Sequence, residues 1–328
     1  MIRSLYLTKD GILHEDLSMM DIAFALQDRD GVLWADFEST PPEEDEPILR
    51  KTFGFHPLAI DDALQESHVP KIDDWGEYLY IVLHAVALGE GESVSVTTLE
   101  LDVFVGENYM VTHHDQVLEV VNRVRTLMVR DPRQLKNGVD HLLYRLTDEI
   151  VASYMPVVEK LDLNIDQLED KIFGKPDTDT LERIFAVKRA VLYLRRIVDP
   201  QREVLNKLAR DDYEVIDARA RVYFRDVYDH LVRLHDIIES VRDLVSGTVD
   251  TYLSMTNNRM NEIMKTLTLI TTLFMPISFI ASFFGMNFFQ PVIPLDVWTH
   301  WGSFILTLLA IALTPIGLYA WWRRRGWA

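Results

Sequence analysis

The chain has 328 residues, with 51 Asp and Glu against 33 Lys and Arg, and no cysteine. Its length allows two domains with a substantial core, while the lack of cysteine excludes disulfide frameworks and thiolate metal sites. Residues 1–150 hold 29 acidic and 12 basic side chains and residues 151–328 hold 22 and 21, so nearly the whole net charge of −18 lies in the first part. Such a surface repels nucleic acid and gathers cations, or serves solubility alone.

In chain order, "MIRSLYLTKDGILHEDLS" has no long apolar stretch, so no cleaved secretory signal is expected and the amino-terminal part is expected in the cytoplasm. Residues 1–137 read as a mixed α/β domain. "YLYIVLHAVAL" and "SVSVTTLELDVFVG" are β-rich and separated by "GEGE", which predicts a hairpin, and "NYMVTHH" predicts a further strand. "HPLAIDDALQES" and "DQVLEVVNRVRTLMV" have helical periodicity.

From about Asp140 the β signal disappears, and residues 138–265 read as a helical stalk. "DHLLYRLTDEIVASYMPVVEKLDLNIDQLEDKIFG" and "DTLERIFAVKRAVLYLRRIVDPQREVLNKLAR" predict two long amphipathic helices. A third begins before "RVYFRDVYDH" and meets no proline until Pro276, so it is expected to run unbroken into the next segment, about 100 Å of helix.

Residues 266–322 contain one formally charged side chain, Asp296. Thr266–Phe284 and Trp301–Trp322 are each long enough to cross ~30 Å of hydrocarbon. The connecting segment, 285–300, is short and expected outside. Arg259 and Lys265 before the first span, and the basic tail 323–328 after the second, are expected inside. Trp298, Trp301, Trp321 and Trp322 suit the two interfaces. The expectation is a multi-pass protein of the cytoplasmic membrane with both termini in the cytoplasm.

Stepping back from Gly285 by alternating threes and fours gives Ser282, Ser278, Met275, Thr271, Thr268, Met264, Asn261, Asn257, Ser254, Asp250, Gly247 and Asp243. This spacing is one seam of a helix in a left-handed bundle, yet it is small or polar nearly throughout. Within a membrane such a seam can be dry helix–helix contact. A seam that stays polar on both sides of the membrane boundary is more simply one that faces water. Two spans cannot enclose a pore, so a water-facing seam requires a ring of copies. Rings of hydroxyl, amide and carboxylate oxygens suit hard divalent cations such as Mg²⁺.

"FMPISFIASFFGMNF" followed by a short loop, a second span and a basic end resembles the CorA magnesium transporters, whose signature is Gly-Met-Asn; "YFRDVYDH", "NEIMKTLTLITTLFMP" and "HPLAIDDAL…HVPK" extend the resemblance over most of the chain. The resemblance implies an α+β cytoplasmic domain, a long helical stalk and two carboxyl-terminal transmembrane helices in a funnel-shaped homopentameric channel. It implies Gly285, Met286 and Asn287 as the outer selectivity ring for hydrated Mg²⁺. It places Asp250, Asn261, Met264, Met275 and Ser278 along a pore, to which the spacing adds Thr268, Thr271 and Ser282. It also implies regulatory Mg²⁺ sites between neighbouring subunits, at Asp62 and Asp226 with Asp61 and Asp148 as further candidates. The activity implied is passive, gated flux of Mg²⁺, with Co²⁺ or Ni²⁺ as further substrates and no organic cofactor.

Many members of the family carry a glutamate in an "MPEL"-like segment after Gly-Met-Asn, whereas this chain has "FFQPVIPLD". Zinc transporters of the ZntB type share the architecture and vary at that motif, so proton-coupled zinc transport is the alternative; a non-conducting, membrane-anchored divalent sensor is the third reading. His113-His114-Asp115 is weighed as a transition-metal site, but adjacent strand residues point to opposite faces and the pair is poorly placed to chelate together. No GxxxxGK[ST] loop and no nucleophile–base arrangement is found, so neither ATP-driven pumping nor hydrolysis is expected.

Overall fold

The computed structural model describes residues 1–64, 69–89, 95–174, 177, 179–286 and 300–325. The chain divides into two compact units, Met1–Thr251 and Tyr252–Ala328.

The first unit is built on a seven-stranded sheet in the order β2-β1-β3-β7-β6-β5-β4. Its strands are β1 (Ile2–Leu7), β2 (Leu13–Glu15), β3 (Val32–Glu38), β4 (Lys71–Asp74), β5 (Leu79–Leu88), β6 (Val96–Val105) and β7 (Tyr109–His114). All neighbours are antiparallel except β3 and β7. The predicted hairpin is β5–β6, paired from Leu79↔Val105 to Leu88↔Val96. The tight β4–β5 connection uses Gly76 at φ +81, where its N–H donates to Asp74 Oδ1 at 2.8 Å.

Strand alternation sends two different sets of side chains to the two faces of the sheet. On one face Ala35, Phe37, Tyr80, Val82, Phe104 and Val111 pack with Leu49, Phe55, Ala59, Ile60 and Ala63. These last come from α2 (Pro42–Lys51), α3 (Pro57–Leu64) and the turn between them, while α1 (Met19–Ala25) adds Ile22 and Ala25 against Tyr6 and Leu33. Helices α5 (Val139–Ala152), α6 (Tyr154–Phe173) and α7 (Thr180–Arg210) also pack on the sheet, and α4 (Glu119–Arg130) packs on α5.

The first long helix predicted for the stalk is two helices, α5 and α6, separated at Ser153. Pro156 explains the break: it has no N–H to donate back to Ala152, which a first helical turn tolerates and an interior does not. The next helix, α8 (Arg221–Gly285), starts at Arg221 and not upstream of it, because the residues before it form turns through Ala220. It runs for 65 residues, Pro276 included. The last helix among the described residues, α9, spans Trp301–Arg324; among those residues α8 and α9 are the two helices long and apolar enough to cross a membrane.

Where β4 ends, one edge of β5 would be left without a partner strand. Gln201 of α7 and Tyr154 of α6 complete it: Gln201 Oε1 accepts from the His84 N–H at 2.9 Å, and the Tyr154 hydroxyl donates to the His84 carbonyl at 2.8 Å.

Candidate functional site

In the first unit α8 buries Phe224, Val227, Leu231, Leu234, Ile238, Val241, Val245 and Thr248, an alternating 3-4 seam. It is tied to α7 by Arg195–Glu239 and His235–Asp199, both at 2.9 Å, and to α6 by Thr248 donating to Glu169 at 2.9 Å. The stripe residues Asp243, Gly247 and Asp250 follow Val241, Val245 and Thr248 by two positions. Two residues are about 200° around an α-helix, and all three are exposed.

In the second unit the partly covered residues of α8 include Leu269, Leu273, Pro276 and Ile280. Leu269 and Leu273 meet α9 beside Leu318, Tyr319, Trp321 and Trp322. Thr271, Met275, Ser278 and Ser282 again follow by two, and these four are exposed, as are Ser254, Asn257, Asn261, Met264 and Thr268. Around Asp243–Asp250 and Thr271–Ser282 the stripe is uncovered while the opposite face is buried or partly covered; over residues 256–268 the helix is exposed on every face. Thr268 donates its hydroxyl proton to the Met264 carbonyl at 2.7 Å and Thr271 to that of Leu267 at 2.9 Å. With the proton committed, each oxygen presents only acceptor capacity outward.

Gly285 is the last residue of α8, and the N–H of Met286 reaches back to the Phe283 carbonyl at 3.4 Å. Among the described residues, a Cβ on Gly285 would meet nothing within 4 Å. Asn287 and Asp296 lie outside the described residues.

The four candidate regulatory aspartates fall in two places. Asp61 and Asp62 are on α3; Asp62 pairs with Lys71, which also reaches Asp73 at 3.0 Å. Asp61 lines a groove between α2 and α3 with Glu43, Glu46 and Arg50. Asp148 of α5 lies 3.7 Å from Arg145, and Asp226 of α8 lies 4.0 Å from His230. Burial pushes the Asp148 carboxyl above its ordinary value, opposed by Arg145 and His230 and reinforced by Glu149 and Asp226. Asp148 and Asp226 thus share one electrostatic neighbourhood, whereas Asp62 has its own cation.

Sequence reasoning missed the polar groups inside the sheet layers. His113 and His114 face opposite sides, as strand alternation requires. His114 Nε2 meets Asp36 Oδ1 at 3.1 Å, Thr112 donates to the same oxygen at 2.6 Å, and Arg3 Nη2 lies 2.5 Å from Asp36 and 2.8 Å from Glu38. Asp36, Glu38 and His114 come close enough to share a cation; the Arg3 guanidinium already supplies the positive charge. Burial alone would raise the Asp36 carboxyl, but the bonds from His114, Thr112 and Arg3 hold it below its ordinary value.

On the other face His113 Nε2 lies 3.4 Å from Asp45 and Nδ1 lies 3.9 Å from Asp102, with Tyr80 donating to Asp102 at 2.6 Å. Burial works against its protonation, yet the two aspartates outweigh it and raise His113 to about 9. The signal was present in "LHAV" and "LELDVF", where charged residues alternate with apolar ones inside strands.

A protein-family model described as "CorA-like Mg2+ transporter protein" matches residues 29–325. The chain is 35% identical over 297 residues to the putative metal ion transporter YfjQ of Bacillus subtilis, covering 90% of this chain and 89% of that one. It is 36% identical over 282 residues to the cobalt/magnesium transport protein CorA of Thermotoga maritima, covering 84% and 77%. The fold matches the complete CorA magnesium transporter of Methanocaldococcus jannaschii with a TM-score of 0.82, at 24% identity, over 99% of this chain and 98% of that one.

Proposed function

The chain belongs to the family of CorA-like Mg²⁺ transporters, and on that premise we propose that it is a homopentameric channel for passive, gated Mg²⁺ entry across the cytoplasmic membrane. The observation that carries this reading is the stripe of α8. It is exposed in both units, lies about 200° from the packed seam, and ends at Gly285.

Five copies arranged with their stripes inward make each stripe position a ring. The hydroxyl oxygens of Thr268 and Thr271 accept hydrogen bonds from water around the ion, so Mg²⁺, which dehydrates reluctantly, passes with its shell largely kept. The Asp250 ring concentrates cations by its charge. Met264 and Met275, apolar members of the stripe, form constrictions that resist wetting when narrow. Asn287 with the Gly285 carbonyls recognises the hydrated ion outside, glycine allowing the backbones of five chains to approach. Residues 1–137 then form the cytoplasmic α/β domain, residues 138–265 the stalk and residues 266–322 the membrane part, with both termini inside. A divalent ion gains ~4.6 kcal/mol per 100 mV of inside-negative potential, sufficient for uptake without ATP.

Intersubunit Mg²⁺ at Asp62 and Asp226 screens carboxylates that otherwise repel and holds the ring closed; loss of internal Mg²⁺ releases it. Asp61 and Asp148 add charge to the same interfaces. Purified protein in liposomes is expected to pass Mg²⁺, and Asn287→Ala to abolish or deregulate that flux; unchanged flux in the variant would count against the assignment. The sequence "FFQPVIPLD", with Asp296 as its one acid, favours keeping proton-coupled Zn²⁺ transport as the second reading. Competition of Mg²⁺ against Zn²⁺, with and without a pH gradient, separates the two.

A further inference from the structure

On α8 and α9 alike, the face that lines the cleft between them runs on to a cation. Leu269, Thr272 and Leu273 of α8 and Leu318, Trp321 and Trp322 of α9 line that cleft, which is small, about 20 Å³. Lys265 stands four residues before Leu269 and seven before Thr272; Arg325 stands four after Trp321 and seven after Leu318. These offsets keep each cation on the lining face of its helix, one turn beyond the cleft.

We propose that this end of the cleft binds an anionic phospholipid, with Lys265 and Arg325 holding its phosphate and the edge of one acyl chain seated against Leu269 and Leu318. The site requires α8 and α9 to be the membrane spans of the preceding reading, with both cations at the cytoplasmic boundary.

Charge complementarity identifies the ligand. Beyond Glu262 the one acid in the sequence is Asp296, which lies between the two spans. The last salt bridge among the described residues is Arg242–Asp243, so Lys265, Arg323, Arg324 and Arg325 have no carboxylate partner there. Glu262 is three residues before Lys265, further from the cleft. The carboxyl end of α9 contributes about half a negative charge, which three arginines outweigh.

The second argument is the posture of Arg325. Its N–H reaches back to the carbonyls of Trp321 and Trp322 at 3.3 and 3.1 Å, and its guanidinium carbon lies 4.9 Å from the Trp321 ring centroid. The cation is thus folded onto a wall of the cleft. Its guanidinium makes no hydrogen bond among the described residues, so its donors remain available to a phosphate. Basic groups beside a cleft between membrane helices, on the cytoplasmic side, are a recurring means of holding acidic headgroups, and Trp suits the same depth.

The test uses full-length protein in phosphatidylcholine vesicles doped with brominated phosphatidylglycerol or brominated phosphatidylcholine, and reads tryptophan quenching. Phosphatidylglycerol is expected to be preferred about fivefold or more, and Lys265→Gln and Arg325→Gln each to lower that preference several-fold. Arg323 is turned about 200° from Trp321, so Arg323→Gln is expected to keep most of it. All three side chains are exposed, which spares the fold. Excess inorganic phosphate is expected to leave quenching unchanged. The site is overturned if the two lipids quench alike, if Arg323→Gln costs as much as Arg325→Gln, or if inorganic phosphate displaces the lipid. Quenching by neither lipid would overturn the membrane spans as well, whereas quenching without selectivity would overturn the lipid site alone.

Discussion

The Tyr154 hydroxyl donates to the main-chain carbonyl of His84 at 2.8 Å, with both residues buried, so a helix side chain occupies the place of a missing strand. Tyr154→Phe removes that donor while keeping the ring. A buried carbonyl left without its partner costs about 1 to 3 kcal/mol. Thermal unfolding of the purified protein should shift down accordingly, and an unchanged transition would show that the edge of β5 is held by packing alone.

Lys71 and Asp62 form an ion pair within one chain, so a regulatory cation at Asp62 has to compete with an ammonium group. Asp62→Ala and Asp226→Ala are expected to weaken inhibition of flux by internal Mg²⁺. Lys71→Ala is expected to do the opposite and move block to lower Mg²⁺. Concentration–inhibition curves in liposomes measure both signs, and a Lys71 variant that shifts the same way as Asp62→Ala would remove the competition.

Thr271 and Thr272 are neighbours on the helix, but Thr271 lies on the uncovered stripe and Thr272 beside α9. Thr271→Val should cut Mg²⁺ flux about fivefold or more, at ~1 kcal/mol for each lost hydrogen bond to the ion's water. Thr272→Val should leave flux near wild type. Equal effects would mean that the stripe is not the path.

Cysteines placed at Ser278 and Ile280 offer a second reading of the same geometry. The former is expected to react with water-soluble thiol reagents and the latter, on the half-covered face, to resist them. Protection at both positions would support the dry, non-conducting sensor.

Asp36 is held below the ordinary carboxylate range in the folded state. Its contribution is therefore present above the unfolded value near 3.9 and is lost as pH falls through the lower folded value. Stability measured from about pH 6 downward should fall with a shallower acid limb in Asp36→Asn, which starts from lower stability at neutral pH. Identical acid limbs would mean that Asp36 is not a source of acid sensitivity.

The long helix, its polar stripe and the two apolar stretches were legible because each repeats over many turns, and a repeated period is what a sequence displays most clearly. The β5–β6 hairpin was equally plain from its β-branched runs. By contrast, β1 and β3 are short, and their pairing joins residues some 30 positions apart; no local pattern announces such a contact. The break at Ser153 was signalled by Pro156 and overlooked because the apolar period continues through it. The aspartates of α3, α5 and α8 are proposed by motif position, through the family resemblance. The Asp36 and His113 clusters are not, because their members come from distant strands and from α2 and are assembled only by sheet register.

The two-residue offset between the packed and uncovered faces of α8 constrains how this helix can change in length. Inserting or deleting one residue turns everything beyond it by about 100°, setting apolar groups where polar ones stood and the reverse. Seven residues is the smallest insertion that restores both faces together, adding about 10.5 Å of helix. Variation in the length of this helix among related chains should therefore come in whole heptads, or be matched by a compensating change nearby.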